Sequence, residues 1–148
     1  MRRALAFLAP LALGSSALAA EPTVALTNDN VVIQALRARS AVPCAALADQ
    51  PDLAAELYAI AEADVAPAWV SLRAASCLAE RFSTDGRFVG WVSPWFTDDE
   101  RGGLGLAALT SSLANPATRS VIEPLARQAP LRWRDLYARR LDAADAAP

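Results

Sequence analysis

The chain has 148 residues, 14 basic and 16 acidic, with no histidine and a formal net charge of −2. That length suits one domain with a sizeable core. Without histidine the familiar general bases, Ser-His-Asp arrangements and His-based metal sites are excluded, and the acidic balance argues against general nucleic-acid binding.

The N-terminus reads as a targeting segment. Arg2 and Arg3 precede the apolar run "ALAFLAPLAL", and Ala17 to Ala19 offer a small-x-small cleavage site. The expected division is a signal peptide over residues 1–20 and a folded domain over 21–148, with cleavage after Ala19 or Ala20. The apolar run is too short to span a bilayer and is interrupted by Pro10. Removal of Arg2 and Arg3 leaves 14 − 2 = 12 basic residues against 16 acidic ones, a charge of −4. The expected destination is a bacterial periplasm or the exterior, not a membrane interior.

After a short extended piece, Thr23 to Thr27, the pattern is helical throughout, since no β-branched alternation runs long enough for a strand. Asn28 or Asp29 is expected to cap a helix carrying Val31, Val32, Ile33 and Leu36. A short piece follows near Pro43 to Ala48. Pro51 and Pro67 stand at first-turn positions of the next two helices. "STDGR", Ser83 to Arg87, is a turn. Phe88, Val92, Trp95 and Phe96 then share a helical face with Trp91 beside it, and Pro94 should kink or end that helix. "TDDE", Thr97 to Glu100, has capping-box spacing. Asn115 with Pro116 starts another helix that Pro124 interrupts, and Pro130 starts the last.

These starts repeat. First helices begin near Pro51, Ser83 and Asn115, and second helices near Pro67, Thr97 and Pro130, about thirty-two residues apart. At that offset Leu57 matches Val89 and Val121, Leu72 matches Leu104 and Leu136, and Cys77 matches Leu109 and Leu141. One hairpin cannot bury its apolar face alone, but stacked neighbours can. The expected fold is therefore all-α, a short α-solenoid with units at 51–82, 83–114 and 115–142 and a degenerate unit before them. A non-repetitive helical bundle is the alternative.

Leu72, Arg73, Ala74, Ala75 and Leu78 in "VSLRAASCLAERF" resemble the second helix of a HEAT-like repeat, of the armadillo type. Prolines within the first helix, as at Pro94 and Pro124, are similar to that family too. The resemblance covers about Pro51 to Leu141. The second unit departs from it at Gly102, Gly103 and Gly105, each costing about 1 kcal/mol relative to Ala inside a helix. The third places Asp135 and Arg139 on faces expected to be buried, as in a polar terminal cap.

Cys44 and Cys77 are the only cysteines, and in an oxidising compartment two cysteines of a small chain usually pair. Two buried free thiols are the other reading. A reactive thiol is disfavoured because no histidine is available as its base. The repeat favours pairing: subtracting 32 from 77 gives 45, one position from Cys44, and neighbouring helices pack about 8–10 Å apart.

No catalytic, cofactor-binding or metal-ligating set is expected. "RGGLG", Arg101 to Gly105, lacks the spacing and lysine of a phosphate loop, and the acids of "TDDE" read as helix-start residues. A helix starting at Trp69 and turning about 100° per residue gathers Trp69, Arg73, Ser76 and Glu80 in one polar sector. At the repeat offset Trp69 matches Arg101 and Trp133. Trp69, Arg73, Arg101 and Trp133 are thus the candidate partner-binding residues, since Trp and Arg are enriched in interface hot spots; packing of each Trp onto the adjoining helix is the competing reading. The function expected is a non-catalytic scaffold for a protein or peptide partner, without cofactor. The alternatives are a structural or accessory envelope module, and a small carboxylate-dependent enzyme.

Overall fold

A computed structural model describes residues 26–38, 44–63, 67–98 and 113–146. Among them the chain forms six α-helices and no strand. These are α1 (Val31–Arg37), α2 (Leu53–Glu62), α3 (Trp69–Phe82), α4 (Gly86–Thr97), α5 (Pro116–Gln128) and α6 (Leu131–Asp145), with a 3-10 turn, Cys44–Leu47, between α1 and α2. The signal-peptide segment, Thr23 to Ala25, Pro43, the three glycines at 102, 103 and 105, Leu104, Leu109 and Glu100 lie outside the described residues.

Local chemistry sets most helix starts. The cap of α1 is Asn30, whose Oδ1 accepts from the Ile33 N–H at 2.9 Å, and not Asn28 or Asp29. Asn28 is occupied otherwise: its side chain accepts from Arg37 at 2.8 Å. Asp85 and Asn115 cap α4 and α5 in the same way, each accepting from the N–H two residues on at 2.9 Å. Pro116 follows at the first helical position, where a missing N–H costs nothing. Pro51 lies two residues before α2 and not in its first turn: α2 begins at Leu53, and Asp52 precedes it in the left-handed region at φ 55°, which Asp tolerates better than most residues. Pro67 lies two residues before α3, and its carbonyl accepts from Val70 at 2.9 Å.

Two expectations based on prolines and caps are corrected. Of a kink or an end at Pro94, the end is ruled out, as is a break at Pro124: the two helices run on to Thr97 and Gln128. A proline deprives the carbonyl four residues back of its donor; here those carbonyls belong to Gly90 and Ser120, both exposed to solvent. Thr97 does not start a helix. It is the last residue of α4, and its hydroxyl donates to the Pro94 carbonyl at 3.0 Å.

The periodicity also differs in register. Phe88, Val92 and Phe96 of α4 are buried, and thirty positions on Thr118, Ile122 and Ala126 of α5 are buried as well. The caps Asp85 and Asn115 and the prolines Pro94 and Pro124 keep the same offset. Val89, paired at thirty-two with the fully buried Leu57, is 38% exposed. One residue of slip rotates a side chain by about 100°, enough to turn a core position outward. Asp135 and Arg139 are both exposed on α6 and so do not occupy buried faces.

The helices follow one another as neighbours. α2 folds back on α3, which also touches α1, the 3-10 turn and α4; α4 packs on α5 and α5 on α6. Alanines at 74, 75 and 79 keep α3 slim, so that Leu57 and Ile60 of α2 and Phe88 of α4 are fully buried with Val70 and Leu78. The Ser71 hydroxyl lies within hydrogen-bonding reach of the Ile60 and Ala63 carbonyls, at 3.0 and 3.1 Å, and closes the end of α2.

Candidate functional site

Cys44 and Cys77 form a disulfide with their Cα atoms 5.4 Å apart, within the ordinary range for such bridges. Cys44 opens the 3-10 turn and Cys77 lies in the middle of α3, and both are buried. One turn further along α3, Arg81 donates to the Cys44 carbonyl at 3.1 Å. The pair is a staple between an N-terminal turn and the central helix, so neither sulfur serves as a nucleophile.

Trp69 begins α3 and is 38% exposed. Arg73, one turn on, sets its guanidinium 4.5 Å from the Trp69 ring centroid. The same guanidinium donates to the Leu36 carbonyl at 2.8 Å, in the last turn of α1, and to the Ala38 carbonyl at 2.6 Å, just beyond it. Arg73 is thus half-buried and its hydrogen bonding is turned inward, while Trp69 lies over it facing out. Of the other sector members, Ser76 donates back to the Leu72 carbonyl at 3.1 Å and Glu80 is exposed.

Trp133 has a different setting. It packs against the core, partly buried, with Arg132 4.5 Å from its ring centroid, and its Nε1 is buried without a hydrogen-bond partner among the described residues. In burial it corresponds to Val70, since the pairs Val70 with Trp133, Ala74 with Tyr137 and Leu78 with Leu141 turn the same way. The structure joins Trp69 to Arg73; Arg101 lies outside the described residues, and Trp133 belongs to α6, which packs on α5.

A second aromatic group includes Phe88, Trp91 and Trp95, which the sequence placed on or beside one helical face without making them candidate site residues. Trp91 stands edge-on to Tyr58 at 5.4 Å and 4.6 Å from Trp95, with Phe88 at 6.1 Å, and Arg87 lies 4.3 Å from the Tyr58 ring. The signal was the four-residue spacing of Arg87, Trp91 and Trp95, which places all three on one flank of α4. Tyr58 is buried and its hydroxyl has no hydrogen-bond partner among the described residues. Burial, and then the nearby Asp85 carboxylate, push its pKa above 10.0; Glu62 adds to this and Arg87 opposes it. Tyr137 is likewise raised above 10.0, by burial first and by Glu123 second, with Arg119 and Arg127 opposing.

No protein-family model, curated protein or solved structure matches the chain.

Proposed function

We propose that the protein is an exported, non-catalytic helical-repeat scaffold that binds a protein or peptide partner on the surface carrying Trp69. The observation that carries this reading is the Trp69–Arg73 pair. A large indole is presented to solvent on a guanidinium that two backbone carbonyls hold in place. An aromatic anchor fixed before binding loses less side-chain entropy when a partner arrives, and exposed Trp is a frequent centre of binding energy.

The HEAT-like solenoid draws support from the thirty-residue correspondence of α4 and α5, which extends to cap, buried face and internal proline. Export draws support from the Arg-led apolar N-terminus and from the disulfide. Among the described residues no helix is long and apolar enough to cross a membrane. In this reading Arg73 positions Trp69.

The structural-module reading is favoured by one observation, the buried Nε1 of Trp133, which marks that indole as packing. Capture from an envelope extract on immobilised protein distinguishes the two. Trp69→Ala should abolish capture of the bound partner with the far-ultraviolet circular dichroism unchanged. Undiminished capture by that variant rejects the Trp69 surface.

A further inference from the structure

Trp69, Arg73, Cys77 and Arg81 recur every four residues along α3 and so form one row on its surface. The N-terminal segment lies along that row in chain order. Arg73 donates to the Leu36 and Ala38 carbonyls, Cys77 is bonded to Cys44, and Arg81 donates to the Cys44 carbonyl. Three successive members of the row thus hold the N-terminal segment, and the fourth, Trp69, lies over Arg73. The middle hold is covalent.

The arginine contacts are hydrogen bonds from side chains that water reaches, Arg73 half-buried and Arg81 exposed, so solvent competes for donor and acceptor alike. They need acceptors that stay in place. Those of Arg73 lie in and just beyond α1, a helix of seven residues with no stability of its own. Val32, Ile33 and Leu36 bury the face of α1, but apolar contact is non-directional and does not fix where its last carbonyls point. Cys44 follows Ala38 by six positions, so the bridge ties that same stretch of backbone to the same row.

We infer that the Cys44–Cys77 disulfide is a redox lock on the Trp69 surface. With the bridge closed, Arg73 keeps its acceptors and Trp69 is presented on the guanidinium. With two free thiols the Arg73 contacts loosen and Trp69 loses its support. This regulation rests on the Trp69 surface being the one that binds. Closing the bridge takes one hydrogen from each thiol, and the two electrons and two protons reduce the disulfide of a thiol–disulfide oxidoreductase to a dithiol. A chain still in a reducing compartment therefore carries an incomplete surface, which oxidation completes.

Fluorine NMR of the purified protein labelled with fluorotryptophan tests the lock without any partner. There are four tryptophans, and Trp69→Phe assigns the Trp69 signal. A dithiol reductant should move that signal toward its position in oxidised Arg73→Ala while the signals of Trp91, Trp95 and Trp133 stay, and reoxidation should restore it. Cys44→Ser/Cys77→Ser should show the reduced spectrum without reductant. A Trp69 signal that stays in place once both thiols titrate overturns the inference. So do four signals that move together, which would make the bridge a staple of the whole fold, or a movement that Arg73→Ala does not reproduce. Capture undiminished by Trp69→Ala, by contrast, rejects the binding reading and leaves the bridge's hold on Arg73 to be decided by the spectrum alone.

Discussion

The Thr118 hydroxyl, buried in the first turn of α5, donates to the Ala79 carbonyl of α3 at 2.7 Å across 39 positions of sequence. Ala79 lies in the last turn of α3, where carbonyls lack helical donors. The same α5 start offers Asn115 Nδ2 to the Glu80 carbonyl at 3.5 Å. One helix thus begins by serving the unsatisfied end of another, which fixes α5 against α3. Thr118→Val keeps the shape and removes the donor, leaving a buried carbonyl without it. Urea unfolding should show a loss of about 1–3 kcal/mol. Unchanged stability would mean that this bond does not hold α5 to α3.

Arg73 joins α3 to the end of α1 through the Leu36 and Ala38 carbonyls. A seven-residue helix is not stable alone and depends on such contacts. Arg73→Ala should cost about 1–2 kcal/mol, discounted for its half-exposed position, and should speed hydrogen exchange at Val32 to Ala38 while α5 and α6 keep their protection. Exchange that rises evenly along the chain contradicts this local role.

The disulfide closes a separation of 33 residues. In the chain-entropy model a loop of that size contributes about 3–4 kcal/mol. Thiol titration of the denatured, unreduced protein should find none from either cysteine, and a dithiol reductant should lower the melting temperature. Two titratable thiols per chain would refute the pairing.

Tyr58 and Tyr137 should ionise above 10.0, because burial disfavours the phenolate of each. They are the only tyrosines, so the phenolate absorbance that grows near 295 nm comes from these two rings. A raised pKa in the fold means that the folded state holds the proton more tightly. This contribution to stability is complete below pH 10.0 and is lost as pH rises through the folded pKa values. Alkaline unfolding should accompany tyrosinate formation. Reversible ionisation of both rings at their ordinary value would be the opposite result.

What the sequence made legible was short-range chemistry. Asn115 before Pro116 marks a helix start because cap and proline act within one turn. The pairing of Cys44 with Cys77 was readable because no other cysteine competes. Thr97 misled because a threonine three residues before a glutamate fits a helix start, yet its hydroxyl serves equally well as donor to Pro94 at a helix end. The thirty-two-residue register put Val89 in the core and paired Trp69 with Trp133, since a slip of one residue leaves the sequence pattern almost unchanged while turning the side chain by about 100°. Arg73 looked like surface because its two acceptors lie 37 and 35 positions away, and no local pattern announces which carbonyls a long side chain will reach.

Trp69 and Val89 are equally exposed, each at 38%, and that match allows a controlled test of the central claim. A photo-crosslinking amino acid placed at the exposed neighbour Ala68, with Trp69 left intact, and one at Val89 as the control, is activated in cells producing the protein. The Trp69 surface predicts a discrete heavier adduct from position 68 that position 89 does not give. No adduct from position 68, or the same adducts from both, would contradict it.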